Sequence, residues 1–434
     1  MTSLPKTSSP RVCVIGAGPC GIACVKNLLE QGIDNIDVFE KNNRIGGNWV
    51  YDEKGTHSSV YETTHLISSR WLSWFEDFPM PPGTSEYPSH EQVLHYFEVY
   101  AARFGMARFV RFETRVEKVE PLDEKRWQVT YSDAEGLHTG VYDYVMVANG
   151  HHWDPSMPEY PGTFSGEMLH AHAYKKAEPF RGKRVLVVGG GNSACDIAVE
   201  VARVARKSCI SMRRGQHIIP KFLFGKPSDT VLARIKWLPY RLRQIVAGSV
   251  LRALQGHYGK YRLQKPRERL FASHPTINSE LLYAIRHGKV FPCRGIERFE
   301  GSTVHFTDGE HEDFDVVIFA TGYKTTFPFF APELIDYSNA RQLPLYLKMM
   351  HPTFETLYFI GLFQPQGCIW PLADYQAGIA ARIMAGTRSR PKRLEQKIQG
   401  EIKAHKARFH DSPRHALEVD YHAFRRQLRK ALKA

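Results

Sequence analysis

The chain lacks any C-x-x-C pair: its seven cysteines fall at positions 13, 20, 24, 195, 209, 293 and 368. An odd number without that spacing supplies neither a disulfide framework nor a dithiol redox centre. Also missing is an apolar run of the roughly 18 to 20 residues that would span a bilayer, and the opening MTSLPKTSSP has no hydrophobic stretch of the kind that forms a secretory signal. A cytoplasmic location is the resulting expectation. Histidines come as His151 with His152 and His170 with His172, but no cysteine or carboxylate frames either pair at ligand spacing, so no metal site is expected. Acid is in short supply, with 45 Asp and Glu against 58 Lys and Arg and a net charge of +13. No nucleic-acid-binding signature accompanies that excess, which leaves anionic cofactors or an anionic surface to meet it.

What is present is a duplication. With 434 residues, 43% hydrophobic and 24% charged, the chain can bury the cores of two or three domains. Shifted by 173 residues, RVCVIGAGPCG from Arg11 to Gly21 falls on RVLVVGGGNSA from Arg184 to Ala194. Each copy is a short run of β-branched residues entering a tight glycine turn. Apolar residues at helical spacing follow: Ile22, Val25, Leu28 and Leu29 in the first, Ile197, Val201 and Val204 in the second. Both read as the opening of a βαβ unit. Gly16 and Gly189 allow the turn, Gly18 and Gly191 admit a pyrophosphate to the backbone, and Gly21 or Ala194 lets helix and strand pack closely. The helix N-terminus then offers N–H groups and a partial positive charge to the phosphates.

The second strands of the two copies differ in charge. IDVFEK ends near Glu40, a carboxylate able to accept hydrogen bonds from a ribose, and its counterpart in CISMRRG is Arg213, followed by Arg214. A carboxylate repels a 2′-phosphate, whereas paired arginines attract one. The first site is therefore expected to take a dinucleotide with a free ribose, such as FAD, and the second NADPH; the competing reading leaves the arginines as surface charges at a strand end. Two acid-led strands, DYVMVANG ending at Gly150 and DVVIFATG ending at Gly322, mark where the chain crosses between units. The expected fold is α/β, with two Rossmann-like dinucleotide-binding domains and the NADPH domain inserted into the FAD domain. The FAD domain takes 1–163, the NADPH domain 164–315, and the chain returns to the FAD domain over 316–434, its basic end from about residue 392 reading as surface helix or tail.

Within the second domain, residues 226–272 form a basic insert: from Arg234 to Arg269 there are ten Lys or Arg and one acid, Glu268, interleaved with apolar residues. One or two amphipathic helices are expected there, either flapped over the second nucleotide site or touching a membrane surface or partner.

Residues Phe164, Gly166, His170 and Tyr174 fit F-x-G-x-x-x-H-x-x-x-Y, which resembles the identifying motif of the flavin-containing monooxygenases. GGNW at 46–49, FEDFPMP at 75–81, YPSHEQVLHYF at 87–97 and GCIWPLADYQA at 367–377 extend the resemblance over most of the chain. It implies an enzyme in which NADPH reduces FAD, O2 adds to form a flavin hydroperoxide, and a small nitrogen or sulfur nucleophile takes one oxygen atom. Carried over by position, Gly16, Gly18, Gly21, Glu40, Asn48, Trp49 and Val116 would contact FAD, and Gly189, Gly191, Ser193, Arg213 and Arg214 would contact NADPH. Trp49 also reads as a core aromatic. His170 either relays contacts between cofactors as the domains move or packs as a linker residue.

One departure stands out. Where the family pattern has an asparagine near the flavin, an ungapped match of YETTHLISSR places Ile67, which cannot donate a hydrogen bond; Ser68 and Ser69 are the candidates to compensate. Without compensation the protein becomes a leaky NADPH oxidase. Oxidative decarboxylation of a small acid and Baeyer–Villiger oxygenation of ketones are the alternative chemistries, the latter disfavoured by Tyr174 where those enzymes usually carry tryptophan. A flavin-binding redox sensor or interaction protein is the alternative of another class. The sequence sets no oligomeric state.

Overall fold

The computed structural model describes residues 9–54 and 57–433. The opening segment read for a secretory signal lies outside them, apart from its last two residues. Two five-stranded parallel sheets organise the chain. In the first, Val12–Ile15 lies between Ile36–Phe39 and Tyr144–Val147, with Val110–Arg111 and Leu357–Phe359 at the edges. In the second, Arg184–Val188 lies between Lys207–Ser211 and Val316–Phe319, with Val290–Cys293 and Glu167–His170 outside. The central strands VCVI and RVLVV are buried almost throughout, the pattern of a parallel sheet covered on both faces.

The acid that leads each crossing strand has a structural task in the same place. An oxygen of Asp143 accepts the backbone N–H of Arg11 at 2.8 Å, and an oxygen of Asp315 accepts that of Arg184 at 2.7 Å. Asp143 thus fastens the residue just before Val12–Ile15, and Asp315 the first residue of Arg184–Val188. This corrects the expected boundary at 315: Val316–Phe319 belongs to the second sheet, so the chain leaves that unit only after Phe319. The two crossings run side by side, with Tyr323–Lys324 pairing antiparallel to Asp154–Pro155.

Helix Pro19–Glu30 starts with proline at its first position, where a missing N–H costs nothing, and packs on helix Trp370–Met384. Helix His90–Arg103 carries a capping box, Ser89 accepting from the Gln92 N–H and Gln92 reaching back to Ser89. Helix Asn192–Val201 ends at Val201, so Val204 falls in the turn beyond it. The C-terminal stretch is no loose tail. Helix Tyr421–Lys433 buries Tyr421, Phe424 and Leu428 against the flavin-side core.

Between the two packed helices, Lys26 is 5% exposed, with its ammonium 3.0 Å from Asp374 and 3.2 Å from Asp77. Asn27 also donates to Asp374. Removing one partner of a buried ion pair strands the other, at a cost of about 3 to 5 kcal/mol. Lys26→Met is therefore expected to lower the unfolding free energy by about 3 kcal/mol, read as a lower urea midpoint at unchanged slope.

Candidate functional site

At the first glycine turn the constraint is spatial. Gly16 has φ +102°, and a Cβ there would lie 2.7 Å from the carbonyl oxygen of Ala148; a Cβ on Gly21 would lie 1.9 Å from the carbonyl oxygen of Gly16. Neither position admits a side chain. Gly18 is the N-cap of its helix, with no side-chain cap, and approaches the backbone of Gly47, so the Gly46-Gly47 turn is pressed against the first. That leaves a bare backbone cradle of the kind a pyrophosphate fits. Glu40 is buried at the end of its strand. One carboxylate oxygen accepts the Ala17 N–H at 2.7 Å and the other that of Asn42 at 2.9 Å. Burial pushes the Glu40 carboxyl up, and the two N–H donors oppose that. A carboxylate has about four lone-pair sites, so Glu40 can brace the turn and still accept a ribose hydroxyl.

The other flavin candidates surround this turn. Asn48 accepts from both the N–H and the hydroxyl of Ser59, at 2.8 and 2.7 Å, and the same hydroxyl is 2.9 Å from the carbonyl of His152. Trp49, half-buried, meets Trp370 edge to face at 5.7 Å between ring centroids. Val116 packs with Ile15 and Phe39, and the strand register shifts between Val116 and Lys118.

The second turn is looser. Gly189 has φ +142° and faces the carbonyl of Ala320, while Gly191 caps its helix with nothing within 4 Å of where a Cβ would be. Here Thr276 takes the bracing role by donating to the carbonyl of Gly190 at 2.6 Å, and Asn192 accepts the Ile277 N–H at 2.7 Å. Ser193 is exposed. So are Arg213 and Arg214, just past their strand and without an ion pair among the described residues. The end of the basic insert leans over them: Gln264 donates to the carbonyl of Met212 at 3.1 Å, and Gly215 has no room for a Cβ beside Gln264 and Lys265. The insert also forms two helices, Ser228–Ala233 and Tyr240–Gln255.

The F-x-G-x-x-x-H-x-x-x-Y motif proves to be an edge of the second unit. Gly166 lies against the Asp315 carbonyl and the Phe164 ring; His170 ends a strand paired with Val316–Phe319. His170 is packed: it is 7% exposed, its Nδ1 accepts the His172 N–H at 3.1 Å, and burial lowers its pKa to about 4. Its ring, with those of His152 and His172, gathers around Tyr323 at centroid distances of 5.2 to 6.1 Å. Burial likewise lowers His152, to about 3, so these imidazoles stay neutral near pH 7.

A cavity of about 100 Å³ opens between the flavin side and the insert. Ile67, Ser68 and Leu72 line one wall, and Ile219, Leu232 and Phe271 another. The Ser68 hydroxyl shares a hydrogen bond with that of Ser73 at 2.8 Å; the Ser69 backbone N–H donates to Asp229 at 2.6 Å, while its buried hydroxyl has no hydrogen-bond partner among the described residues. Arg243 and Asp420 also line the cavity; Asp420 is gripped by Arg243 at 2.8 Å and Arg408 at 2.6 Å. Burial alone would raise that carboxyl, but the two guanidiniums hold it below its ordinary value. These cavity residues come from segments with no mutual spacing, and sequence reasoning had no signal for Asp229, Arg243 or Asp420.

Known proteins match this arrangement over nearly its whole length. The family model described as FMO-like, flavin-binding monooxygenase-like, matches residues 9–434. Flavin-containing monooxygenase 5 of Rattus norvegicus is 34% identical over 440 residues, covering 95% of this chain and 80% of the relative. Dimethylaniline monooxygenase [N-oxide-forming] 2 of Oryctolagus cuniculus is 32% identical over 403 residues, covering 88% and 74%. Among solved structures, S-allyl-L-cysteine S-oxygenase from Allium sativum superposes with a TM-score of 0.73 at 24% identity, covering 98% of this chain and 88% of that one. Cyclohexanone monooxygenase from Rhodococcus sp. Phi1 bound to NADP+ gives 0.74 at 18%, covering 98% and 97%. The chain belongs to the flavin-binding monooxygenase-like family. It is an NADPH-dependent flavin monooxygenase with FAD and NADPH as its cofactors.

If Arg213 and Arg214 clamp a 2′-phosphate, replacing both with glutamine raises the KM for NADPH about tenfold to a hundredfold and leaves that for NADH nearly unchanged. Flavin reduction followed against both nucleotides measures it; an unaltered NADPH preference places 2′-phosphate recognition elsewhere.

Proposed function

We propose that the cavity beside Ile67 and Ser68 receives the substrate, and that the protein transfers one oxygen atom from O2 to a small nitrogen or sulfur nucleophile carrying apolar substituents. The observation that carries this reading is the cavity itself: mainly apolar walls, with Ile67, Ser68 and Leu72 on one side and the insert on the other. The flavin, when bound, would take a hydride from NADPH and activate O2. The chain's own contribution is placement and dryness. Gly16, Gly18, Gly21 and Glu40, with Asn48, Trp49 and Val116, would hold FAD; Gly189, Gly191, Ser193, Arg213 and Arg214 would hold NADPH. The insert excludes water from above. NADPH-dependent conversion of a tertiary amine or a thioether to the oxide, read by mass spectrometry, is the test; flavin reduction with no oxygenated product from either would overturn the reading.

A second reading, partial NADPH oxidase activity, is favoured by Ile67. It lines the cavity and offers no hydrogen-bond donor, and the hydroxyl of its cavity neighbour Ser68 is engaged with Ser73. A lost hydrogen bond to a strongly polar group is worth about 1.5 to 3 kcal/mol, about tenfold or more in a rate. Ile67→Asn is expected to cut hydrogen peroxide released per NADPH by about that factor; unchanged leakage with FAD still bound would count against the alignment at this position.

We also propose the cytoplasm as the compartment and an anionic membrane surface as a peripheral partner. No helix among the described residues is long and apolar enough to cross a membrane. The outer face of the insert nevertheless leaves Trp237 77% and Ile245 64% exposed, beside Arg234, Lys236 and Arg241, which form no ion pair among the described residues. Apolar anchors among free cations suit anionic headgroups. Co-sedimentation with phosphatidylserine vesicles should be measurable at low salt, weaken as the Debye length falls below about 10 Å, and be lost in Trp237→Ala with Ile245→Ala. Salt-insensitive binding, or none, would leave the insert as a flap alone.

A further inference from the structure

Segment 58–64 of the flavin side is bolted to the helix that begins at the second glycine turn. The Tyr61 hydroxyl donates to Asp196 at 3.1 Å, and that of Thr63 to Glu200 at 2.7 Å. Asp196 and Glu200 lie one turn apart on Asn192–Val201, whose N-cap is Gly191. Asn278 donates to the other oxygen of Asp196 at 2.6 Å. Neither carboxylate has an ion-pair partner among the described residues, and burial pushes both carboxyls up.

The same segment is fastened along its length. Lys175, 6% exposed and next to Tyr174 of the linker motif, gives its ammonium to the carbonyls of Ser58 at 2.6 Å and Val60 at 3.2 Å, while its own carbonyl accepts the Glu62 N–H at 2.9 Å. Tyr61 and Tyr174 meet edge to face at 5.5 Å. At one end Ser59 holds Asn48; at the other the chain runs directly into Ile67 and Ser68. Burying carboxylates without cations is costly, and apolar side chains would fill this contact as tightly. What hydrogen-bonded carboxylates add is direction.

We infer that Asp196 and Glu200 are positioning residues: through Tyr61 and Thr63 they fix the orientation of the second nucleotide unit against the segment joining the flavin cradle to the cavity. The inference rests on hydride transfer from NADPH to the flavin. Such a step needs reacting atoms about 3 to 3.5 Å apart, and a 1 Å misplacement costs about a hundredfold. A latch that leaves the glycine turns untouched therefore governs the rate of reduction rather than the affinity for either nucleotide.

The double variant Tyr61→Phe, Thr63→Val removes both hydroxyls and keeps the shapes. Flavin reduction at saturating NADPH is expected to slow by about tenfold to a hundredfold, with FAD content retained and the KM for NADPH within about threefold of wild type. Amide exchange over 58–69 and 192–201, measured without added nucleotide, should quicken about tenfold. Thr63→Ser, which keeps a donor, should restore the Thr63 share of both effects, and Tyr61→Phe alone serves if the double variant fails to fold. Unchanged reduction and exchange would overturn the inference, as would a KM that rises in step with the loss of rate, because the segment would then serve nucleotide binding. Wild-type protein that NADPH does not reduce would instead refute the monooxygenase reading, with exchange still deciding on the latch.

Discussion

The closest backbone approach at the glycine turns is the constraint on which the architecture depends. A helix N-terminus can present its free N–H groups to an anion only where strand, turn and helix pass each other without side chains between them. At Gly21, a single added carbon would fall 1.9 Å from the Gly16 carbonyl oxygen. Everything around the turn serves that proximity: Glu40 braces it from the second strand, the Gly46-Gly47 turn presses on it, and Asp143 fixes where its strand begins. The second unit solves the same problem with different parts. Ala194 replaces a glycine, Thr276 replaces the carboxylate brace, and the freed strand end becomes basic.

This division of labour explains why the two turns are not interchangeable. A carboxylate repels a ribose 2′-phosphate, and at the first site the buried Glu40 is held in place by two backbone N–H donors. At the second, Arg213 and Arg214 are exposed and form no ion pair among the described residues. Charge, burial and bracing change together between the copies.

Much of this was legible in the sequence because it depends on local spacing. The glycine positions, the acid-for-base exchange between Glu40 and Arg213 and the acid-led crossing strands follow from short windows read twice. The boundary at 315 erred because an acid-led strand was taken as the border, when its acid is what attaches it to the second sheet. The cavity wall was out of reach for another reason: Ile67, Asp229 and Asp420 are far apart in sequence and meet only through packing. The Tyr61–Asp196 and Thr63–Glu200 contacts span more than 130 residues each, and neither repeats at the 173-residue offset that revealed the rest.

The grip of Arg243 and Arg408 on Asp420 ties the insert to the C-terminal segment through charge rather than through a shared apolar core. A module held that way is portable. The helices of the insert and the glycine turns that cradle the nucleotides occupy separate stretches of the chain, so the roof can diverge by insertion, deletion or exchange while the cradles stay fixed. Lineages built on this plan can vary what fits beneath the roof without renegotiating how electrons arrive.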